Sequence, residues 1–219
     1  EPVHLWGNPG LQQIVDGLMV VCPQLPFEVI CHDVAELGYQ FELNGLQVQA
    51  TPVEHRVPCL AYSITLPRVG KFDAARAKAN QIPLNYWGAL QKGETIVDGD
   101  HIYHPEDVLG APRKGLKIAY ATDCRPSAEI VAMAQDSDLF VAEGLYGDPE
   151  KQQSAAEKGH MVYQEAAQMA KEANVQELWL THYSPAMTNA EEFLHYGTEI
   201  FPNTKCGTNL MMTELRFAE

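Results

Sequence analysis

The chain has 219 residues, is 46% hydrophobic and carries a formal net charge of −14 at pH 7. That length suits one globular domain, or one domain with an excursion, and no run approaches the ~18 apolar residues of a membrane span. A chain this acidic repels polyanions on average, so nucleic-acid binding would need a local basic patch. The five cysteines, Cys22, Cys31, Cys59, Cys124 and Cys206, are odd in number, widely spaced and form no Cys-x-x-Cys pair. They support neither a disulfide framework nor a thiolate zinc knuckle, and they predict reduced core thiols in a cytoplasmic protein.

The opening "EPVHLWGNPG" has no basic n-region, no long apolar h-region and no initiator Met. It reads as no signal peptide, and its strand-like "VHLWG" starts as though something upstream had been removed. In "NPGLQQIVDGLMVV" a helix is expected, with Asn8 as N-cap, Pro9 at the first helical position and Leu11, Ile14, Val15 and Leu18 on one face. Strands rich in Thr, Val, Ile and aromatics are expected at Phe27–His32, Leu46–Val53 and Cys59–Leu66.

Residues 68–115 break this rhythm. "RVGKFDAARAKANQIPLNYWGALQKGE" has no sustained apolar period, as a functional or disordered insertion would not. Its first part holds Arg68, Lys71, Arg76, Lys78 and Lys92, five of the fifteen basic residues, against Asp73. Phe72, Tyr86 and Trp87 are interleaved with them, as in a nucleic-acid contact surface. The alternative is a solvated excursion whose aromatics pack back on the body.

From Lys117 the pattern is regular βα. The strands "KIAYATD", "DLFVAEG" and "QELWLTH" each precede a helical stretch ("PSAEIVAMAQ", "YQEAAQMAKEA", "NAEEFLHYG"), and a last strand is expected in "NLMMTELRF". Alternation of this kind predicts an α/β fold with helices packed on a sheet.

Each of the three strands ends in an ionisable residue: Asp123, Glu143 and His182. In open α/β sheets the crevice lies beyond the carboxyl ends of the strands, so these groups face one shared site. Carboxylate and imidazole together suit a metal or acid–base centre. His55, in a turn between two strands, and His160, before a helix, complete a His/His/Asp set suited to zinc or manganese. His101 and His104 in "HIYHPED" are expected in a solvated loop. His4, His32 and His195 show no partner pattern and are expected to be structural.

In this order, "VEH", "ATDCRP", "AEG", "KGH" and "LTHYSP" resemble ribonuclease Z, the tRNA 3′-end processing nucleases of the metallo-β-lactamase superfamily. "FDAARAKANQIPLNYWGALQKGETI" and "PEDVLGAPRKGLKIAY" are similar to the family's inserted tRNA-gripping arm, here residues 68–115. The resemblance covers nearly the whole chain. It implies an αβ/βα sandwich, two zinc ions about 3.5–4 Å apart, and phosphodiester hydrolysis by a hydroxide held on the metals. It implies His55 as a ligand of the first metal, Asp123 as the bridging carboxylate and His182 as a ligand of the second. Glu143 would orient His160, which would protonate the leaving oxygen. Arg68, Lys71, Arg76, Lys78 and Lys92 would contact the backbone of precursor tRNA. The family's homodimers imply a dimer here.

The chain departs from the family's pattern in three places. The first motif of the family, His-x-His-x-Asp-His, does not occur. The resemblance therefore implies an N-terminally incomplete domain, a truncated or cleaved product with too few ligands per ion, expected to bind metal weakly and cleave poorly. Ala142-Glu143-Gly144 stands where many relatives carry His-Glu-Ala-Thr, and "IPLNYWG" stands where many carry a Gly-Pro turn. Two other readings remain: a different phosphodiesterase or hydrolase of the same fold, and a non-catalytic homologue binding RNA or a partner. Histidine and carboxylate donors also accept manganese or iron.

Overall fold

The computed structural model describes residues 1–218. It divides into two compact units, residues 1–65 with 117–215, and residues 66–116 with the terminal residues from Arg216.

The chain opens with strand β1 (Val3–Gly7), helix α1 (Leu11–Met19) and strand β2 (Val29–Asp33), β1 and β2 pairing in parallel. Strands β3 (Tyr39–Leu43), β4 (Leu46–Val53) and β5 (Cys59–Arg68) follow as antiparallel neighbours. The second unit contributes helices α2 (Ala74–Ala79) and α3 (Trp87–Gln91) and a hairpin of β6 (Ile96–Asp98) and β7 (His101–Tyr103). Then come β8 (Arg113–Ala121), α4 (Ala128–Ala134), β9 (Leu139–Glu143), α5 (Gln152–Lys158), α6 (Tyr163–Glu172), β10 (Leu178–Thr181), α7 (Leu194–Thr198) and β11 (Thr204–Cys206). Seven strands make one mixed sheet in the order β11-β10-β9-β8-β5-β4-β3. Its β8–β11 side is parallel, as strands joined through crossover helices must be.

Period-two alternation decides which face of this sheet is covered. In β8, Ala119 and Ala121 are buried while Ile118 and Tyr120 are exposed. The buried side meets Ile130, Met133 and Ala134 of α4 and Ala166, Ala167, Met169 and Ala170 of α6. The alanines let α6 lie close to the sheet, where Phe140, Leu178 and Leu180 fill the remaining volume. Parallel register then aligns the strand ends. Ala121 stands opposite Ala142, and Thr181 stands opposite Glu143. The residues just past β8 and β10 therefore share one rim with the last residue of β9.

Four expectations are corrected. Helix α1 starts two residues later than expected, with left-handed Gly10 (φ 92°) as its N-cap and no side-chain cap. Asn8 instead donates its amide to Pro58 O, 2.9 Å away. The segment "NLMMTELRF" forms no strand, and Leu210 and Met212 are exposed; the last strand is Thr204–Cys206, which pairs with β10. The helix expected in "NAEEFLHYG" is a 3-10 turn, Ala190–Phe193, running into the short α7. His4 and His32 do have a partner, each other: Nδ1 of one lies 2.9 Å from Nε2 of the other, with His32 stacked on Trp6.

The second unit has a core of its own, Ala77, Ile82, Leu90 and Val108. Phe72, Tyr86, Trp87 and Tyr103 pack against that core. Trp87 donates to Ile82 O (3.0 Å), Tyr86 donates to Asp98 Oδ2 (2.8 Å), and the Phe72 and Trp87 rings sit 5.3 Å apart. The aromatics expected to offer free faces to bases are therefore spent on the unit's interior. Asp73 caps α2, accepting from Ala75 N (2.9 Å) and Arg76 N (3.0 Å). His101 and His104, expected in a loop, flank the second strand of the hairpin: His101 begins it and His104 follows it, before a 3-10 turn at Pro105–Asp107.

Candidate metal centre

Glu143 is the fixed point of the rim. Its side chain is fully buried, where an unpaired carboxylate would be very unfavourable. Both oxygens are occupied. Oε1 accepts from Cys124 N (2.6 Å) and from His160 Nδ1 (3.0 Å), and Oε2 accepts from Met161 N (3.0 Å). One carboxylate thus ties the turn after β8 to the turn before α6. Because a carboxylate only accepts, His160 carries its proton on Nδ1 and presents Nε2 as a lone pair.

His55 is set by the same logic. Its Nδ1 donates to Gly159 O at 2.9 Å, leaving Nε2 free to bind. Gly159 is left-handed (φ 81°), and a Cβ there would lie 2.8 Å from His55 Nδ1, so only glycine allows this contact. The rings continue as a row: His55 to His160 at 4.8 Å between centroids, His160 to His182 at 5.3 Å.

Asp123 and His182 close the row. Asp123 Oδ1 lies 2.7 Å from His182 Nε2, with side chains 44% and 39% exposed. Both hold left-handed backbone, φ 52° and 57°, a strained region that Asp and His tolerate better than most residues. Ligand atoms from Asp123, Glu143, His160 and His182 all lie within 4.8 Å of one another. With His55 beside them, imidazole nitrogens and a half-exposed carboxylate form a donor set that fits a divalent metal. Glu143 fits it least, since its oxygens are already saturated. Every residue expected at the site from the three strand ends and the two turns is on this rim.

The sequence reading missed the brace behind it. Arg125 donates to His160 O through Nη1 and grips Glu165 in a fork, Nη2 to Oε1 at 2.7 Å and Nη1 to Oε2 at 3.2 Å. Arg125 N also donates to Glu54 O (2.8 Å), next to His55. Glu165 reaches back to Val162 N (3.0 Å) at the start of α6. The signal was present: an Arg two residues past the strand-end Asp, and a Glu three residues into a helix. Gly144 has a steric reason too. A Cβ there would sit 2.7 Å from the buried Tyr163 ring.

Of the five basic residues expected to contact RNA, two are engaged inside the second unit. Arg76 donates to Leu109 O (3.1 Å) and Glu106 O (2.9 Å), and Arg68 donates to Ala218 O (2.6 Å) with its guanidinium over Phe217. Lys71, Lys78 and Lys92 are exposed. Two thiols near the rim are held neutral. Burial, then the Glu143 charge, pushes Cys124 well above the usual thiol range, and burial raises half-buried Cys59. All five cysteines are free.

Residues 82–183 match the beta-lactamase superfamily domain. The chain is 43% identical over 217 residues to a protein named Ribonuclease Z from Lachnoclostridium phytofermentans, covering 99% of this chain and 71% of that one. It is 42% identical over 223 residues to one of that name from Clostridium acetobutylicum, covering 99% and 72%. Its fold is similar to the human tRNase Z short form (TM-score 0.63, 17% identity, 99% of this chain and 69% of that one). It is also similar to the metallo-beta-lactamase fold protein YhfI from Bacillus subtilis (TM-score 0.56, 16% identity, 93% and 61%). With the rim geometry and these identities together, the chain belongs to the ribonuclease Z family of the metallo-β-lactamase superfamily.

Proposed function

We propose that this chain carries the reaction rim of a metal-dependent endoribonuclease that cuts precursor tRNA 3′ of the acceptor stem. The observation that carries the reading is the convergence of Asp123, Glu143, His160 and His182 within 4.8 Å, in a chain 43% identical to a ribonuclease Z. Metal bound there supplies Lewis-acid stabilisation of the attacking and leaving oxygens of an in-line displacement. We assign zinc, with manganese or iron as chemically acceptable substitutes.

Asp123 and His182 are the proposed ligands, joined by His55 through the Nε2 that its bond to Gly159 leaves free. These are fewer donors than two closed zinc sites require, so a second ion depends on groups outside these residues. His160 is the proposed general acid. Its Nδ1–H is anchored on Glu143, so its Nε2 is held in one orientation, able to carry a proton to the 3′ oxygen as the bond to phosphorus breaks. Arg125 holds the backbone on which His160 sits.

Lys71, Lys78 and Lys92 are the proposed phosphate contacts of the second unit, with Arg68 and Arg76 bracing it. A homodimer in the cytoplasm completes the reading. Among the described residues no helix is long and apolar enough to cross a membrane. The test is cleavage of a labelled tRNA precursor by the protein and by His182→Ala with zinc present. The expected result is a cut just 3′ of the acceptor stem that falls at least ~100-fold in the variant. Undiminished cleavage by His182→Ala ends the assignment.

A further inference from the structure

A cleft of about 180 Å3 lies between the two segments that leave the rim. One wall is Tyr146, Gly147, Asp148 and Lys151, which follow Glu143; the other is Ser184, Ala186, Met187 and Phe193, which follow His182. Ser184 N donates to Leu145 O at 2.9 Å, joining the walls at their rim end. Tyr146 is three residues from Glu143, so its Cα lies within about 11 Å of that residue's Cα.

The lining has a specific chemistry. Tyr146 and Phe193 are aromatic, Met187 is a polarizable thioether, and all three are half-buried. Gly147 lets the backbone rest on Phe193, since a Cβ there would come 2.2 Å from Phe193 Cβ. Two cations adjoin the cleft. Lys151 lines it, and Lys158 donates to Tyr146 OH (2.6 Å) while lying 5.3 Å from the centre of that ring. The Asp148 carboxylate is turned into its own backbone, accepting from Glu150 N at 2.9 Å. The volume equals roughly six waters at ~30 Å3 each, the scale of one planar heterocycle. An apolar, aromatic-lined cleft with ammonium groups beside it is complementary to a base on a phosphodiester chain.

We propose that this cleft is a nucleobase subsite, taking the base of one of the two nucleotides that border the scissile phosphate while Lys151 and Lys158 meet the adjoining phosphate. This rests on the tRNA reading above. Stacking sets where the strand lies across the rim, so the cleft fixes the register of cleavage as well as affinity.

The test is a cycle between protein and RNA, read by fluorescence anisotropy in EDTA so that no turnover contributes. The protein variants are Ala186→Phe, which fills the cleft from its exposed edge, and Tyr146→Leu, which keeps apolar bulk without an aromatic face. The RNAs are a labelled tRNA precursor and the same precursor made abasic at each bordering nucleotide in turn. Both variants are expected to bind the ordinary precursor about tenfold more weakly than wild type. Each is expected to match wild type on one of the two abasic precursors. Equal losses on all RNAs, or no loss on any, overturn the subsite while leaving the tRNA reading intact. Failure of the wild type to bind any precursor removes both.

Discussion

Asp123 Oδ1 and His182 Nε2 meet at 2.7 Å, although each ends a different strand and each sits in left-handed backbone. Strain of this kind stores ~1–3 kcal/mol per residue, while a half-exposed polar contact between Asp and His returns only ~0–1 kcal/mol. Folding stability therefore does not explain the arrangement; the proposed role of both residues as metal ligands would. Replacing His182 with glycine should relieve the strain and remove the ligand. Calorimetry of the metal-free proteins should show a melting temperature for His182→Gly equal to or a few degrees above wild type, while metal added back binds the variant only at background. A large loss of stability would mean that the pair holds the fold.

Glu143 should behave in the opposite way. Glu143→Ala strands the Cys124 and Met161 amides in a buried environment and frees the His160 ring. Orphaned buried donors cost ~1–3 kcal/mol each, so urea denaturation should show a loss of about 2–4 kcal/mol, with activity lost as well.

Arg125 acts through another residue. Its fork to Glu165 and its bond to His160 O hold the turn that aims the imidazole. Arg125→Met should lower kcat by ~10²-fold, as a displacement near 1 Å does, with KM for precursor tRNA little changed. Arg125→Lys cannot make the fork and should recover only part of kcat. An equal rise in KM would point to substrate binding instead.

The buried acids predict an alkaline limit. Burial raises Cys124, Tyr163 and Tyr183 above their ordinary values of 9.0, 10.0 and 10.0. Each is neutral in the folded state, so above those ordinary values the unfolded chain binds fewer protons than the native one, and stability falls as pH rises. Melting temperature should be flat up to about pH 9 and decline beyond it. In parallel, iodoacetamide at pH 8 should label exposed Cys22 rapidly and Cys124 only after unfolding.

The rim was legible because parallel strands put their final residues in register: "ATD", "VAE" and "LTH" could be read as three strand ends before any contact was known. His55 and His160 lie in turns whose approach depends on Gly159; the sequence offers them as imidazole donors to go with Asp123 and His182, and the family motif order adds a separate role for each. The bracing role of Arg125 left only a local trace, an Arg two residues past Asp123 and a Glu three residues into a helix, because its partners are two backbone carbonyls and a helix-capping Glu, none of which is periodic. Residues 68–115 looked unpatterned since their core, Ala77, Ile82, Leu90 and Val108, is drawn from short pieces, none long enough to show a helical period. The strand expected in "NLMMTELRF" failed because an apolar run signals a strand only where it pairs and is covered, and here Leu210 and Met212 stay exposed while the sheet ends at β11.

The most direct test of the central claim, that Asp123 and His182 jointly bind the metal, is titration of the metal-free protein with cobalt(II), followed by its d–d absorption and by equilibrium dialysis. The account predicts a bound-cobalt spectrum in the wild type that Asp123→Ala and His182→Ala each abolish, and that Lys78→Gln in the second unit leaves unaltered. Cobalt binding of the same strength and spectrum in both rim variants would contradict it.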